Sequence, residues 1–393
     1  MSQGVSGGTD LVVMSLEPWD EVWRRNQHLV AEMMRARPDT RVLFVEPVSD
    51  PLHDLRRGVG PRRGRGLRAA PPPDGVGPGR IWLFQPTKAL PRRVDPSGDR
   101  RRSAAVRRAA RSIGITRPVL WVNDPYGATV SRETGWPTLY DITDDWTTAS
   151  RGSAESRRIL EADQFLVETA AAVTVCSPVL VSRKEEFRPV VLVSNGVDVE
   201  HYRRPTSPPT DLPRGRTAVY VGTLHADRLD LELCEETARA LGDTGSLVLV
   251  GPNSLTRSDT DRLLDAGVVL LGPRPYDQVP AYLQHADLLV VPHVVDAFTD
   301  SLDPIKLYEY RAVGRPVVST PVAGFRDTSD PHVTVSADVS FPTEVRSALQ
   351  GGPPSSGGHD SPAAPEPIPT WARQAELMAD VIRDVRHSSA THR

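Results

Sequence analysis

Two successive series of short, almost wholly apolar, β-branched runs, separated by helix-length segments, constrain this chain more than any other feature. The first series is LVVMSL (11–16), VLFVEP (42–47), IWLFQP (81–86), PVLWVND (118–124), TLYDIT (138–143), AVTVCS (172–177) and VVLVSN (190–195). The second is TAVYVGTL (217–224), SLVLVGP (246–252), GVVLLGP (267–273), ADLLVVPH (286–293) and RPVVSTP (315–321). These runs are too continuously apolar for strands with one wet face. They fit a parallel sheet covered by helices on both sides. Segments such as 21–37 and 229–242, the second stopped by Gly242, would supply those helices. The reading is an α/β chain with two Rossmann-like domains.

Boundaries follow from punctuation. The stretch VEHYRRPTSPPTDLPRGR (199–216) is rich in proline and charge and reads as a linker between a domain at 1–198 and a second at 217–350. Residues 351–369 read as a disordered linker. Beyond it, 370–393 carries a helix from Trp371 to Val385 with apolar residues at helical spacing, which must dock somewhere. Residues 51–80 read as a mobile loop. With 29 Gly and 37 Pro the chain is no helical bundle, and two cysteines build neither a disulfide framework nor a cysteine-rich zinc site. Aromatics at 6% offer little for stacking nucleic acid, so no nucleic-acid partner is expected. No apolar run approaches the roughly 20 residues of a membrane span, and a cytoplasmic protein is expected.

The basic residues are 44 Arg and only three Lys: Lys88, Lys184 and Lys306. Residues 51–118 concentrate 17 basic against 4 acidic residues. That positive field suits peripheral contact with the anionic inner face of a membrane, or a phosphate-bearing acceptor; a solvated basic loop is the alternative.

Seven segments in order, SLEPWDEVWRRNQHL (15–29), TLYDITDDW (138–146), SNGVDVEHY (194–202), YVGTL (220–224), LVGP (249–252), LLGPRPYDQVPAYLQHADLLVVPH (270–293) and DPIKLYEYRAVGRPVVSTPVAG (303–324), together resemble the GT-B glycosyltransferases, especially bacterial enzymes of glycosyltransferase family four. The resemblance implies two facing Rossmann-like domains, with a final helix crossing back to the amino-terminal one. The amino domain would take a hydroxyl acceptor and the carboxyl domain a nucleotide-diphosphate sugar. It implies transfer with retention, the nucleotide sugar as co-substrate, and neither a metal nor another cofactor. A sugar-nucleotide epimerase of the same fold and a catalytically silent partner subunit are the rival readings.

In DPIKLYEY, Asp303 is a plausible N-cap and Pro304 suits the first helical position. A helix starting there turns unpaired N–H groups toward a bound anion, with Lys306 in its first turn. Glu309 lies three residues on, on the same side, where its carboxylate could accept both hydroxyl hydrogens of a ribose, which is the family's role for it. A plain surface Lys–Glu pair is the alternative. Leu307 lies between them and joins the donor set. Many family members carry a second glutamate eight residues earlier; here that position is Ser301, beside Asp300. Gly222 would let backbone approach the diphosphate, and Arg228 is a candidate for it, or else a solvated loop arginine. Gly272 and Arg274 lie in the loop that the resemblance assigns to the nucleobase.

In the amino-terminal half, DITDDW follows a strand end, and Asp144 or Asp145 could deprotonate the acceptor hydroxyl, in which case inversion is the alternative to retention. A DxD-like metal site and helix capping by Asp144 are the alternatives. Arg25 and Gln27, near the first βα turn, could line the acceptor site, and His28 could act as a base or simply be packed.

Overall fold

The computed structural model describes residues 8–56, 60–88, 90, 94–145, 153–351 and 367–391. The chain divides into two compact units, one of Met1–Ser194 with Trp371–Arg393, the other of Asn195–Thr370.

The strands of the first unit are β1 (Asp10–Met14), β2 (Arg41–Val45), β3 (Gly66–Ala69), β4 (Ile81–Gln85), β5 (Val119–Val122), β6 (Thr138–Ile142), β7 (Ala172–Val175) and β8 (Val191–Leu192). Among the described residues they form one sheet in the order β3-β4-β2-β1-β5-β6-β7-β8. Every residue of β5 and β6 is buried, as continuous apolar runs between helix layers require. Only β3 runs antiparallel, on β4. It corrects the expectation of a loop over 51–80, as does a short helix at Pro51–Arg56. The sequence GLRA alternates half-buried and exposed positions, so β3 is held by backbone pairing and leaves no apolar signature.

The helix read from residue 21 begins instead at Arg25 and runs to Ala36, with the Gln27 Oε1 accepting the Arg24 N–H at 2.9 Å. The Trp371–Thr391 helix packs on it within the same unit. His28 and Trp371 stack with ring centroids 4.6 Å apart and planes 5° from parallel, and Ala375, Met378, Ile382 and Val385 are buried below.

In the second unit β9 (Thr217–Val221), β10 (Ser246–Val250), β11 (Val269–Gly272), β12 (Leu288–Val291), β13 (Val317–Ser319) and β14 (Val333–Val335) form a parallel sheet in the order β11-β10-β9-β12-β13-β14. The covering helix expected over 229–242 spans Leu231–Leu241; the Asp230 carboxylate caps it and Gly242, at φ 48°, ends it. Part of the stretch read as a linker is folded into this unit. Val199–Arg203 is a short helix capped by Asp198, and Tyr202 is 1% exposed. The disordered linker expected at 351–369 lies, from 352 to 366, outside the described residues. No described helix is long and apolar enough to cross a membrane.

Candidate functional site

Strand order locates the site of the second unit. From β9 the chain builds outward through β10 and β11, then returns to place β12 on the other side of β9. Ligands of open parallel sheets sit beyond the strand ends at such a reversal. The ends of β9 and β12 carry Gly222 and His293, and hydrogen bonds from Asp230 to Pro292 and from Val294 to Arg228 tie the two loops together.

The Ile305–Val313 helix points its amino end at this place. Its N-cap is Pro304, and no side chain caps it. Asp303, read as the cap, is used otherwise: its carboxylate accepts the Tyr308 hydroxyl at 2.6 Å and the Asn195 N–H. A proline cap offers no side-chain acceptor; the Leu307 N–H donates to the Pro304 carbonyl at 3.0 Å, and the Ile305 and Lys306 N–H groups are the ones that could meet an anion. The Lys306 Nζ lies 5.1 Å from the Tyr220 ring centroid. Loss of hydration lowers its pKa to about 8; Glu309 opposes that shift and Arg228 adds to it. His293 is buried, shares a hydrogen bond of 3.1 Å with the Tyr220 hydroxyl, and is held well below the usual histidine range by burial and then by Lys306 and Arg228. It therefore stays neutral between two cations. Arg228 also lies over Phe298, 5.5 Å from the ring centroid.

The Glu309 Oε1 accepts the Tyr202 hydroxyl at 2.6 Å. Burial raises the carboxyl pKa, while that bond and Lys306 lower it. The bond occupies one oxygen and leaves the second to accept from a ligand. Tyr202 ends the SNGVDVEHY segment and lies inside the proline-rich stretch, so the sequence gives it no role of its own, although Asp198 three residues before His201 is a helix-start signal.

Gly222 is required by close approach. A Cβ there would lie 2.6 Å from both Cε and Nζ of Lys306, at a φ of 156° that side chains rarely adopt. Gly222→Ala is expected to displace the ammonium and to weaken binding of a nucleoside diphosphate about tenfold, measured by calorimetry. Unchanged affinity would show that Lys306 does not meet the ligand from this position.

Three donor candidates are placed less favourably. Leu307 is a core residue, 5% exposed. Ser301 is 0% exposed, its hydroxyl donating to the Phe298 carbonyl at 2.7 Å. Its neighbour Asp300 pairs with Arg326 at 2.6 Å. The Arg274 guanidinium is engaged by Asp211 and by the Tyr282 hydroxyl at 2.6 Å; only the backbone of its loop, after Gly272 at φ 73°, is left to read a base edge.

In the first unit the predicted residues are mostly structural. Arg25 is 6% exposed. It pairs with Asp141 at 3.1 Å and donates to the carbonyls of Val193 at 2.7 Å and Ser194 at 2.8 Å, so its fork is spent inside the fold rather than on an acceptor. Gln27 is 0% exposed and caps its own helix. His28 is sandwiched between Trp371 and the edge of Trp23, a packed histidine. Asp145 is buried and pairs with Arg183 at 2.6 Å, whereas Asp144 is half-buried and accepts the Thr143 hydroxyl at 3.1 Å. Trp146 of the same motif lies outside the described residues. Among the described residues no three His, Cys, Asp or Glu side chains converge as metal ligands. The reversal point of this sheet, between β1 and β5, holds Asn26, which donates to Asn123 at 2.8 Å and to Ser15 at 3.2 Å.

Residues 215–349 match the family described as Glycosyl transferases group 1. The match lies within the second unit, and the chain has the GT-B fold. The putative teichuronic acid biosynthesis glycosyltransferase TuaH of Bacillus subtilis is 25% identical over 252 residues, 60% of this chain and 63% of its own length. The chain thus matches less than two thirds of that relative. The Anabaena Alr3699/HepE structure in complex with UDP and glucose is similar in fold, with a TM-score of 0.59 and 14% identity, covering 98% of this chain and 99% of that one. An E. coli structure described as trehalose-6-phosphate bound with UDP-2-fluoro glucose gives a TM-score of 0.62 at 12% identity, with 96% of each chain covered. Within the matched segment Glu309 stands between Tyr202 and Lys306.

Proposed function

We propose that the chain is a glycosyltransferase that moves a sugar from a uridine diphosphate sugar to a hydroxyl of an acceptor in cell-envelope glycan synthesis, with retention of configuration. The reading is carried by one arrangement: Lys306 and an uncapped helix amino end beside Gly222, with Glu309 of the same helix held by Tyr202. The names of the Anabaena and Bacillus proteins support the donor and the acceptor class respectively. Glu309 accepts from the ribose hydroxyls. The bond from the sugar's anomeric carbon to the diphosphate breaks, and a new bond forms to the acceptor oxygen on the same face. The acceptor proton passes to the leaving phosphate oxygen. Lys306, Arg228 and the helix N–H groups meet the charge on the leaving diphosphate, and the reading calls for no metal ion.

The test is calorimetry of the full chain with UDP at several pH values. Lys306 titrates at about 8 in the free protein, and a bound diphosphate favours its charged form. UDP affinity is therefore expected to fall above pH 8, and binding there should take up a proton, seen as a heat that depends on the buffer. Lys306→Met should bind weakly with no proton uptake. Absence of UDP binding at every pH overturns the reading and favours a silent partner subunit.

A further inference from the structure

The basic segment 51–118 does not lie on the surface as a uniform field. Four of its charges are met by neighbouring acids: Lys88 pairs with Asp50 at 2.5 Å, Arg100 with Glu133 at 3.2 Å, and Arg101 and Arg102 with Asp95 and Asp99. One group is organised differently. Glu46 directly follows β2, at the strand-end rim of the first sheet, and its carboxylate is 0% exposed. Its Oε1 accepts the Trp19 N–H at 3.2 Å and Arg65 Nη2 at 3.1 Å, and its Oε2 accepts Arg68 Nη2 at 2.6 Å. A single buried carboxylate thus holds two guanidiniums at the rim, leaving one positive charge uncompensated within the group. Arg65 keeps 56% of its side chain exposed, and the Nη1 of Arg68 has no hydrogen-bond partner.

The arginines are also fixed from the backbone side. The Gln85 Oε1 accepts the Arg65 N–H at 3.2 Å, and the Thr87 hydroxyl accepts the Gly64 N–H at 2.8 Å. Arg68 is paired with Leu83 in the β3–β4 ladder. A loop whose arginines merely wave in solvent needs no buried glutamate to anchor them. Two forks immobilised side by side have already lost the rotamer freedom that anion binding costs, and guanidinium geometry matches phosphate oxygens.

We propose that Arg65 and Arg68, anchored by Glu46, form an anion subsite that takes a phosphoryl group carried by the acceptor. This rests on the reading that the first unit receives the acceptor, and it narrows that acceptor to a phosphorylated one. The test uses the full chain saturated with UDP and titrated with inorganic pyrophosphate, the soluble probe. The wild type should bind pyrophosphate under UDP saturation. Arg65→Gln, whose residue is exposed enough to leave the fold intact, and the double variant with Arg68→Gln should each weaken it by about tenfold or more, the loss of a charge-assisted hydrogen bond. Arg107→Gln, which removes an exposed arginine of the Gly98–Ser112 helix, should bind as the wild type does. Equal affinity in Arg65→Gln and wild type overturns the assignment, and so does an equal loss in Arg107→Gln, which would reveal only a diffuse field. In a parallel arm the protein is sedimented with vesicles of phosphatidylcholine, alone or mixed equally with phosphatidylglycerol. Capture by the anionic vesicles through Arg65, without pyrophosphate binding, overturns the acceptor assignment in favour of a lipid headgroup. Failure of UDP itself to bind counts against the donor reading alone, because the arginine variants still report on the pyrophosphate.

Discussion

Asp141→Ala is expected to destabilise the first unit by about 3–5 kcal/mol, the cost of leaving a buried charge without its partner. The Asp141 carboxylate is 0% exposed and gathers Arg25 at 3.1 Å, the Trp121 indole N–H at 3.2 Å and the Thr174 hydroxyl at 2.9 Å. Removing it orphans a guanidinium that is itself 6% exposed. In a unit of this size the loss corresponds to a fall in melting temperature of about 6–20 °C, readable by circular dichroism or calorimetry. The double variant with Arg25→Met should recover part of the loss, because it removes the stranded charge. Asp145→Ala should cost less, since its partner Arg183 keeps 34% of its side chain in solvent. A melting curve unmoved by Asp141→Ala would mean that the Arg25 network does not hold the unit together.

Glu309→Ala should produce the largest functional loss. Two hydrogen bonds to an ionised carboxylate, at about 1.5 kcal/mol each, convert to roughly a hundredfold in affinity for UDP. The loss should be specific to the ribose: wild type should prefer UDP to its deoxyribose counterpart, and the variant should bind both alike. Tyr202→Phe separates positioning from contact. It keeps the carboxylate but frees it to rotate, so UDP binding should weaken by about tenfold while some preference for ribose survives. If Glu309→Ala binds UDP as tightly as wild type, the helix does not grip the nucleotide through that side chain.

Much of the fold could be read from the chain because its strands are buried on both faces, and burial of that kind leaves unbroken apolar runs. The exceptions are informative. β3 pairs along one edge of β4 and buries little, so GLRA carried no signal. The Val199–Arg203 helix was hidden by the prolines that follow it, though it seats a fully packed tyrosine. The site divides along similar lines. Lys306 and Glu309 sit within one helical turn, so their shared side is a local property of the sequence. The Tyr202–Glu309 bond spans 107 residues and the Arg25–Asp141 pair 116, and no local pattern announces either. Polar residues near a βα turn often face a ligand, but here Gln27 caps its own helix and Arg25 is consumed by Asp141 and the carbonyls of Val193 and Ser194.

The Trp371–Thr391 helix imposes an order of assembly. It belongs to the same unit as the Arg25–Ala36 helix, yet it leaves the ribosome only after the whole intervening unit. During synthesis the apolar stripe of the Arg25–Ala36 helix that it covers must wait, at about 5–20 residues per second, for every residue of the other unit to be made. The first unit therefore finishes only after the second has been made, and any nascent or clipped chain lacking that helix presents an uncovered apolar seam to the folding and quality-control machinery of the cell.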